Sequence, residues 1–132
     1  MPRKTKLTQR ARPKMVRASE EMKRWAALLA EELSSWPRVS ERPMFGFRSF
    51  YRGNQIFAAV PRTRAIGSPN SVIFRMPNPT ERMKRRMQHD ARIRGPRMGA
   101  KWIELELASA DDINAALEWF GHAYEVAKRP RP

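Results

Sequence analysis

The sequence predicts an α+β fold: a two-layer domain of an antiparallel sheet with helices, in the order α-β-β-β-α-β(-β)-α. Three observations predict it. Two stretches, 19–36 and 109–127, carry apolar residues at helical spacing. Short aromatic or apolar runs between them read as strands, and Trp-Ile-Glu-Leu-Glu-Leu at 102–107 alternates with period two. The turns among the first runs are tight, which implies antiparallel pairing.

The elements follow in order. Residues 1–17 hold two prolines and few large apolar side chains. They bury too little surface to offset their ordering entropy and read as a disordered basic arm. The domain proper spans 18–128, with 129–132 as a tail. Ser19 is a good N-cap, and Glu20 and Glu21 suit the positive end of a helix dipole. Met22, Trp25, Ala26, Leu29, Leu33 and Trp36 then recur on one face until Pro37 stops the helix.

Residues 44–51 read as a strand, with Phe45, Phe47, Ser49 and Tyr51 to one side and Met44, Gly46, Arg48 and Phe50 to the other. Gly53-Asn54 tolerates the positive φ of a tight hairpin, and 55–60 is the return strand. Residues 61–70 read as a loop. Residues 71–76 form a third strand, with Val72, Phe74 and Met76 on one face. Asn78-Pro79-Thr80-Glu81 is a helix start, with Asn78 as cap and Pro79 at the first helical position. That helix runs to about Asp90. Met83 and Met87 face inward, and Arg82, Arg85, Arg86 and His89 lie opposite. Residues 91–101, with two glycines and a proline, read as a loop. In 102–107, Ile103, Leu105 and Leu107 go inward while Glu104 and Glu106 stay in water. Ser109 and Asp112 form a capping box for the last helix, whose buried stripe is Ile113, Ala116, Leu117, Phe120, Tyr124 and Ala127.

Several of these residues resemble the N-terminal domain of the TfoX/Sxy family. Met44-Phe45-Gly46, Tyr51, Gly53 and Phe57-Ala58 look like its hairpin. Residues 72–76, Trp102 and the Ala123-Tyr124 pair look like its apolar strand, Trp-led strand and closing helix. The resemblance covers about 19–127. It departs where the family has a second glycine and this chain has Phe47. It implies a small α/β domain related in shape to YjbR-like proteins. Full-length members are linked to regulation of natural competence genes and carry a second, helical domain. The chain ends before any such domain, so the competence role is not carried over. The resemblance offers no catalytic residues.

Charge narrows the function. The 132 residues carry a net charge of +14, from 27 basic and 13 acidic side chains. It sits in two blocks of +7 each, residues 1–17 and 82–101, while the remainder cancels. Such blocks attract polyanions through summed field and counterion release. Twenty of the cations are arginines, whose planar fork suits phosphate oxygens. Arg82, Arg85, Arg86, Arg92, Arg94 and Arg97 form a candidate nucleic-acid patch on the folded domain, with Arg48 and Arg52 near the hairpin as further candidates. The arm supplies Arg3, Lys4, Lys6, Arg10, Arg12, Lys14 and Arg17. Phe50 and Tyr51 are candidate base-stacking groups beside Arg48, but aromatics on a half-buried strand usually pack inward. On that ground Met44, Phe45 and Phe57 read as structural, and Gly46 as a bend or close approach.

Catalysis is poorly supplied. There is no cysteine, and His89 and His122 fall on different helices as surface residues. Asp111-Asp112 belongs to a cap. Gly95 and Gly99 lack the Lys-Ser/Thr pair of a phosphate loop. The chain is therefore read as a non-enzymatic regulatory or accessory protein that needs no metal or cofactor and binds nucleic acid, DNA in preference to RNA. The alternative is a protein-interaction or dimerisation module, with Trp36, Met98 or Trp119 marking the patch. No apolar run approaches a membrane span, no apolar segment follows the basic N-terminus, and the arm lacks an amphipathic face. The expected setting is cytoplasmic, away from membranes.

Overall fold

The computed structural model describes residues 15–97 and 101–128. The described elements are β1 (Met15–Arg17), α1 (Glu20–Ser34), β2 (Val39–Met44), β3 (Phe47–Arg52), β4 (Gln55–Pro61), β5 (Arg64–Ile66), β6 (Ser71–Arg75), α2 (Glu81–Gln88), β7 (Ile93–Arg97), β8 (Trp102–Glu106) and α3 (Ile113–Ala127). A short 3-10 turn, Ala110–Asp112, leads into α3. Six strands form one antiparallel sheet in the order β2-β3-β4-β6-β8-β7. β1 and β5 form a separate two-stranded ribbon. The fold is α+β.

The main core lies between the sheet and the helices. α1 contributes Met22, Trp25, Leu29 and Leu33, and α3 contributes Ala116, Trp119, Phe120 and Ala123. The sheet answers with Phe50, Ala58, Val60, Val72, Phe74, Ile103 and Leu105. Because strand side chains alternate, the intervening residues form a second cluster on the far face: Phe47, Ala59, Ile66 and Ile73, with Met44 and Trp102 against it. A β-bulge breaks the register between Phe50 and Tyr51, which pair with Ala58 and Ile56. Phe57 is the extra residue, and the bulge sends it to the same side as Ala58. There its ring stacks on Trp36 with centroids 6.2 Å apart and meets Tyr124 edge-on at 5.5 Å.

The caps follow the sequence closely in two places. The Ser19 hydroxyl accepts from the Met22 N–H at 3.0 Å and itself bonds to Asn70. The Ser109–Asp112 capping box forms. α2 differs. Thr80 is its cap, accepting from the Met83 N–H at 3.1 Å, and Asn78 sits at φ 51. A residue before proline is driven out of the right-handed helical region, and asparagine tolerates the left-handed one.

Other expectations are corrected. Residues 15–17 are not part of a disordered arm: they pair with 64–66, so the 61–70 segment holds a strand as well. The contact is three residues of backbone pairing, which leaves no side-chain period to read. Residues 44–51 are not one strand. Met44 ends β2, Phe45 and Gly46 turn at φ 47 and 87, and Phe47 opens β3. β2 carries no alternating apolar signal because Ser40, Glu41, Arg42 and Pro43 are exposed at a sheet edge, a polar pattern that discourages edge-to-edge association. Residues 93–97 are the opposite edge strand rather than loop, with Gly95 at φ 85 and a register shift between Ile93 and Pro96. Glu104 is buried, 1% exposed, because the far face of the sheet is covered where an open two-layer sheet leaves water.

Candidate nucleic-acid interface

α2 presents the clearest cationic surface. Met83 and Met87 pack against the main core. One turn of spacing therefore puts Arg82, Arg85, Arg86 and His89 together on the exposed side. The His89 ring N–H at Nδ1 donates to the Arg85 carbonyl at 2.7 Å, tying the last turn. Lys84 is neutralised by Glu81 at 3.2 Å. Arg86 reaches Glu118 at 3.9 Å and lies 5.8 Å from the centre of the Trp119 ring. Arg82 and Arg85 have no carboxylate within 4 Å among the described residues.

The other candidate arginines have partners. Arg92 spans two carboxylates: its Nε donates to Asp112 Oδ1 at 2.8 Å and its Nη1 to Asp90 Oδ1 at 3.0 Å. Asp90 also accepts from the Trp119 indole N–H at 2.8 Å and from the Arg92 backbone N–H at 3.0 Å. Burial pushes the Asp90 carboxyl up, yet the hydrogen bonds from Trp119 and Arg92 leave it below the ordinary aspartate value. The Arg92 guanidinium, with the Ala108 and Ser109 N–H groups, lowers Asp112 as well. Arg94 is held by Glu106 at 2.6 Å. A cleft of about 660 Å³ beside these groups is lined by His89, Arg92 and Arg94 but also by Asp90, Glu106 and Asp112, so its charge is compensated.

Arg48 grips Glu41 in a fork, 2.6 and 3.0 Å, which raises the guanidinium pKa further. Arg52 donates to the Tyr124 carbonyl at 3.0 Å, lies 3.9 Å over the Tyr124 ring and comes within 4.0 Å of Glu125. Both bind their own fold. The backbone of Arg97 pairs with Trp102 in β7, and its side chain lies outside the described residues. So do Met98 and the arm residues Arg3, Lys4, Lys6, Arg10, Arg12 and Lys14. Of the described guanidinium groups between 82 and 94, the two with no carboxylate within 4 Å among the described residues, Arg82 and Arg85, lie on the outer face of α2.

The aromatic candidates are also redistributed. Phe50 is fully buried, and Tyr51 is half-buried with Arg42 4.4 Å above its ring. Trp119 is 5% exposed and stacked 5.5 Å from Phe74, which removes it as a dimerisation mark. Trp36 is engaged with Phe57 and Tyr124. Phe45, read as structural, is 84% exposed at the β2–β3 apex. Its signal in the sequence is the glycine that follows it, which permits a turn directly after the polar stretch 40–43.

A second cleft of about 470 Å³ lies between β4, the segment 75–80 and α3, and its lining includes Arg75, Lys101, Met76, Met83 and Ala127. Among the described residues no carboxylate or histidine lines it. Among the described residues no three His, Cys, Asp or Glu side chains gather as a metal site requires, and no helix is long and apolar enough to cross a membrane. No protein-family model, curated protein or solved structure matches the chain.

Proposed function

We propose that this chain is a non-enzymatic, regulatory or accessory nucleic-acid-binding protein of the TfoX N-terminal-domain type, acting in the cytoplasm and gripping phosphates through α2. The observation that carries the reading is the stripe of Arg82, Arg85 and Arg86, in which the first two guanidinium groups have no carboxylate within 4 Å among the described residues. An ion-paired arginine must break its own contact to meet a phosphate, whereas these two need not. A convex helix face carrying exposed guanidinium forks fits backbone contact rather than base-edge readout, so the expected binding is weakly sequence-dependent. Duplex DNA is favoured as the partner of this stripe because its phosphates are densely and regularly spaced.

The test is duplex binding by fluorescence anisotropy across a salt series, for wild type and for Arg82→Glu/Arg85→Glu/Arg86→Glu. Non-specific dissociation constants of order 10⁻⁴ to 10⁻⁶ M are expected near physiological salt. Charge reversal is expected to weaken binding and to reduce the slope of log K against log salt by about 3, near 0.9 for each phosphate that is no longer neutralised. An unchanged slope, or no duplex binding by wild type, overturns the reading.

A further inference from the structure

The β2–β3 apex joins an exposed aromatic ring to cations that the sequence keeps far apart. The Gly46 carbonyl accepts from three successive N–H groups, those of Arg62 and Thr63 at 2.9 Å and Arg64 at 3.2 Å. Arg64 passes over Gly46, its Cγ where a side chain on that residue would stand. β1 then pairs Arg17 with Arg64, and the Ala18 N–H donates to the Thr63 carbonyl at 3.0 Å. Arg17, Arg62 and Arg64 are all exposed and have no carboxylate within 4 Å among the described residues. The chain leading into β1 carries six more cations between residues 3 and 14. Phe45 stands beside this cluster with its ring in solvent and its backbone held at φ 47.

We infer that this apex is a second binding site, at which Phe45 stacks on an unpaired base of a single-stranded nucleic acid while Arg17, Arg62 and Arg64 hold the flanking phosphates. Stacking platforms for single strands combine these two parts, a ring with an open face and a positive track beside it. Duplex bases are already stacked and offer the ring nothing, so Phe45 discriminates strand from duplex. Charge complementarity favours nucleic acid over a protein occupant: the apex brings three arginines with no carboxylate within 4 Å among the described residues. The three-fold hydrogen bond at Gly46 keeps the turn in place before the ligand arrives, which reduces the ordering entropy lost on binding. The inference rests on the nucleic-acid reading above but assigns a different surface and a different form of the polymer.

The test uses the full chain, labelled oligothymidine and oligouridine strands, and a labelled duplex, at physiological salt. Phe45 is almost fully exposed, so Phe45→Ala leaves the fold intact, which the circular dichroism spectrum checks. The expected result is that Phe45→Ala binds the single strands about tenfold more weakly and the duplex as wild type does. Phe45→Trp is expected to retain strand binding and to add indole quenching on titration with strand. The Arg82, Arg85 and Arg86 reversal should weaken the duplex and preserve the effect of Phe45→Ala on strands. Strand binding unchanged in Phe45→Ala, or an equal loss for strand and duplex, overturns the inference and leaves the α2 reading standing. So does a wild type that binds duplex but not strand. Altered sedimentation in Phe45→Ala with unaltered strand binding overturns it in favour of a protein contact. A wild type that binds neither polymer overturns both readings.

Discussion

Arg64 closes over Gly46. A Cβ on that glycine would stand 2.7 Å from Arg64 Cγ and 3.0 Å from both Arg64 Cβ and Thr63 Oγ1, on a backbone at φ 87. The Gly46 carbonyl meanwhile takes the N–H groups of residues 62–64. One glycine therefore ties the β2–β3 hairpin to the ribbon that follows β4.

Gly46→Ala is expected to cost about 2–3 kcal/mol. The left-handed backbone contributes about 1–2 kcal/mol for a residue with a Cβ, and the atoms in the way are near the Arg64 backbone and cannot swing clear. Urea denaturation followed by circular dichroism measures it. A loss under about 0.5 kcal/mol would show that the ribbon moves freely.

Phe45→Asn is expected to stabilise the chain by up to about 1 kcal/mol. The ring is 84% exposed, so little burial is forfeited, and asparagine adopts positive φ more readily than phenylalanine. The same variant should lose the strand binding attributed to the ring. A gain in melting temperature beside a loss of binding would show strain kept for function.

Arg92 sets an acid dependence. Its guanidinium is the largest cause holding Asp112 below its ordinary value, and, against burial, it adds to the Trp119 indole and backbone hydrogen bonds that lower Asp90. Carboxyls depressed in the folded state add stability above the unfolded aspartate pKa, near 3.9, and lose it as pH falls through the lower folded values. Arg92→Leu is expected to be about 1–2 kcal/mol less stable than wild type at pH 7. The gap should close as pH falls through the lowered folded values, where the carboxyls protonate in both proteins. A gap independent of pH would assign the effect to packing of the arginine stem.

Trp119→Phe keeps an aromatic against Phe74 but removes the indole N–H that Asp90 accepts at 2.8 Å. A loss of about 1–3 kcal/mol at neutral pH is expected, because the partly buried carboxylate is left short of a donor. Sedimentation should show the same oligomeric state for both proteins. A change of state with unchanged stability would return Trp119 to a surface role.

His122 places Nε2 in the interior with no hydrogen-bond partner among the described residues, its ring edge-on to Trp119 at 5.5 Å. His122→Phe removes the unpaired polar atom and keeps the ring. It is expected to be neutral or to stabilise by up to about 1 kcal/mol in thermal melts, and a loss above about 1 kcal/mol would reveal a partner for that nitrogen.

How much of this was legible varied with the kind of signal. The α1 and α3 stripes, the Ser19 and Ser109 caps, the Gly53 turn and the inward face of β8 follow from local propensity and period, and the folded chain keeps them. The charge blocks also were plain. What escaped was set by partners distant in the chain. Residues 15–17 become a strand because 64–66 lie beside them, and Glu104 is buried because the sheet's far face is covered. The arginines between 82 and 94 are alike in sequence, but the fold gives Arg92 and Arg94 to Asp112 and Glu106 and leaves Arg82 and Arg85 with no carboxylate within 4 Å among the described residues.

An α+β domain with a strongly cationic character follows from the order of residues alone, because periodicity and net charge are sums along the chain. Only the folded chain settles which cations are neutralised, which aromatics are covered, and that exposed Phe45 sits at a turn whose Gly46 carbonyl binds residues 62–64, with Arg17 paired to Arg64. Those outcomes depend on ion pairs and contacts acting over a few ångströms between residues tens of positions apart, and only the folded chain brings such residues within that range.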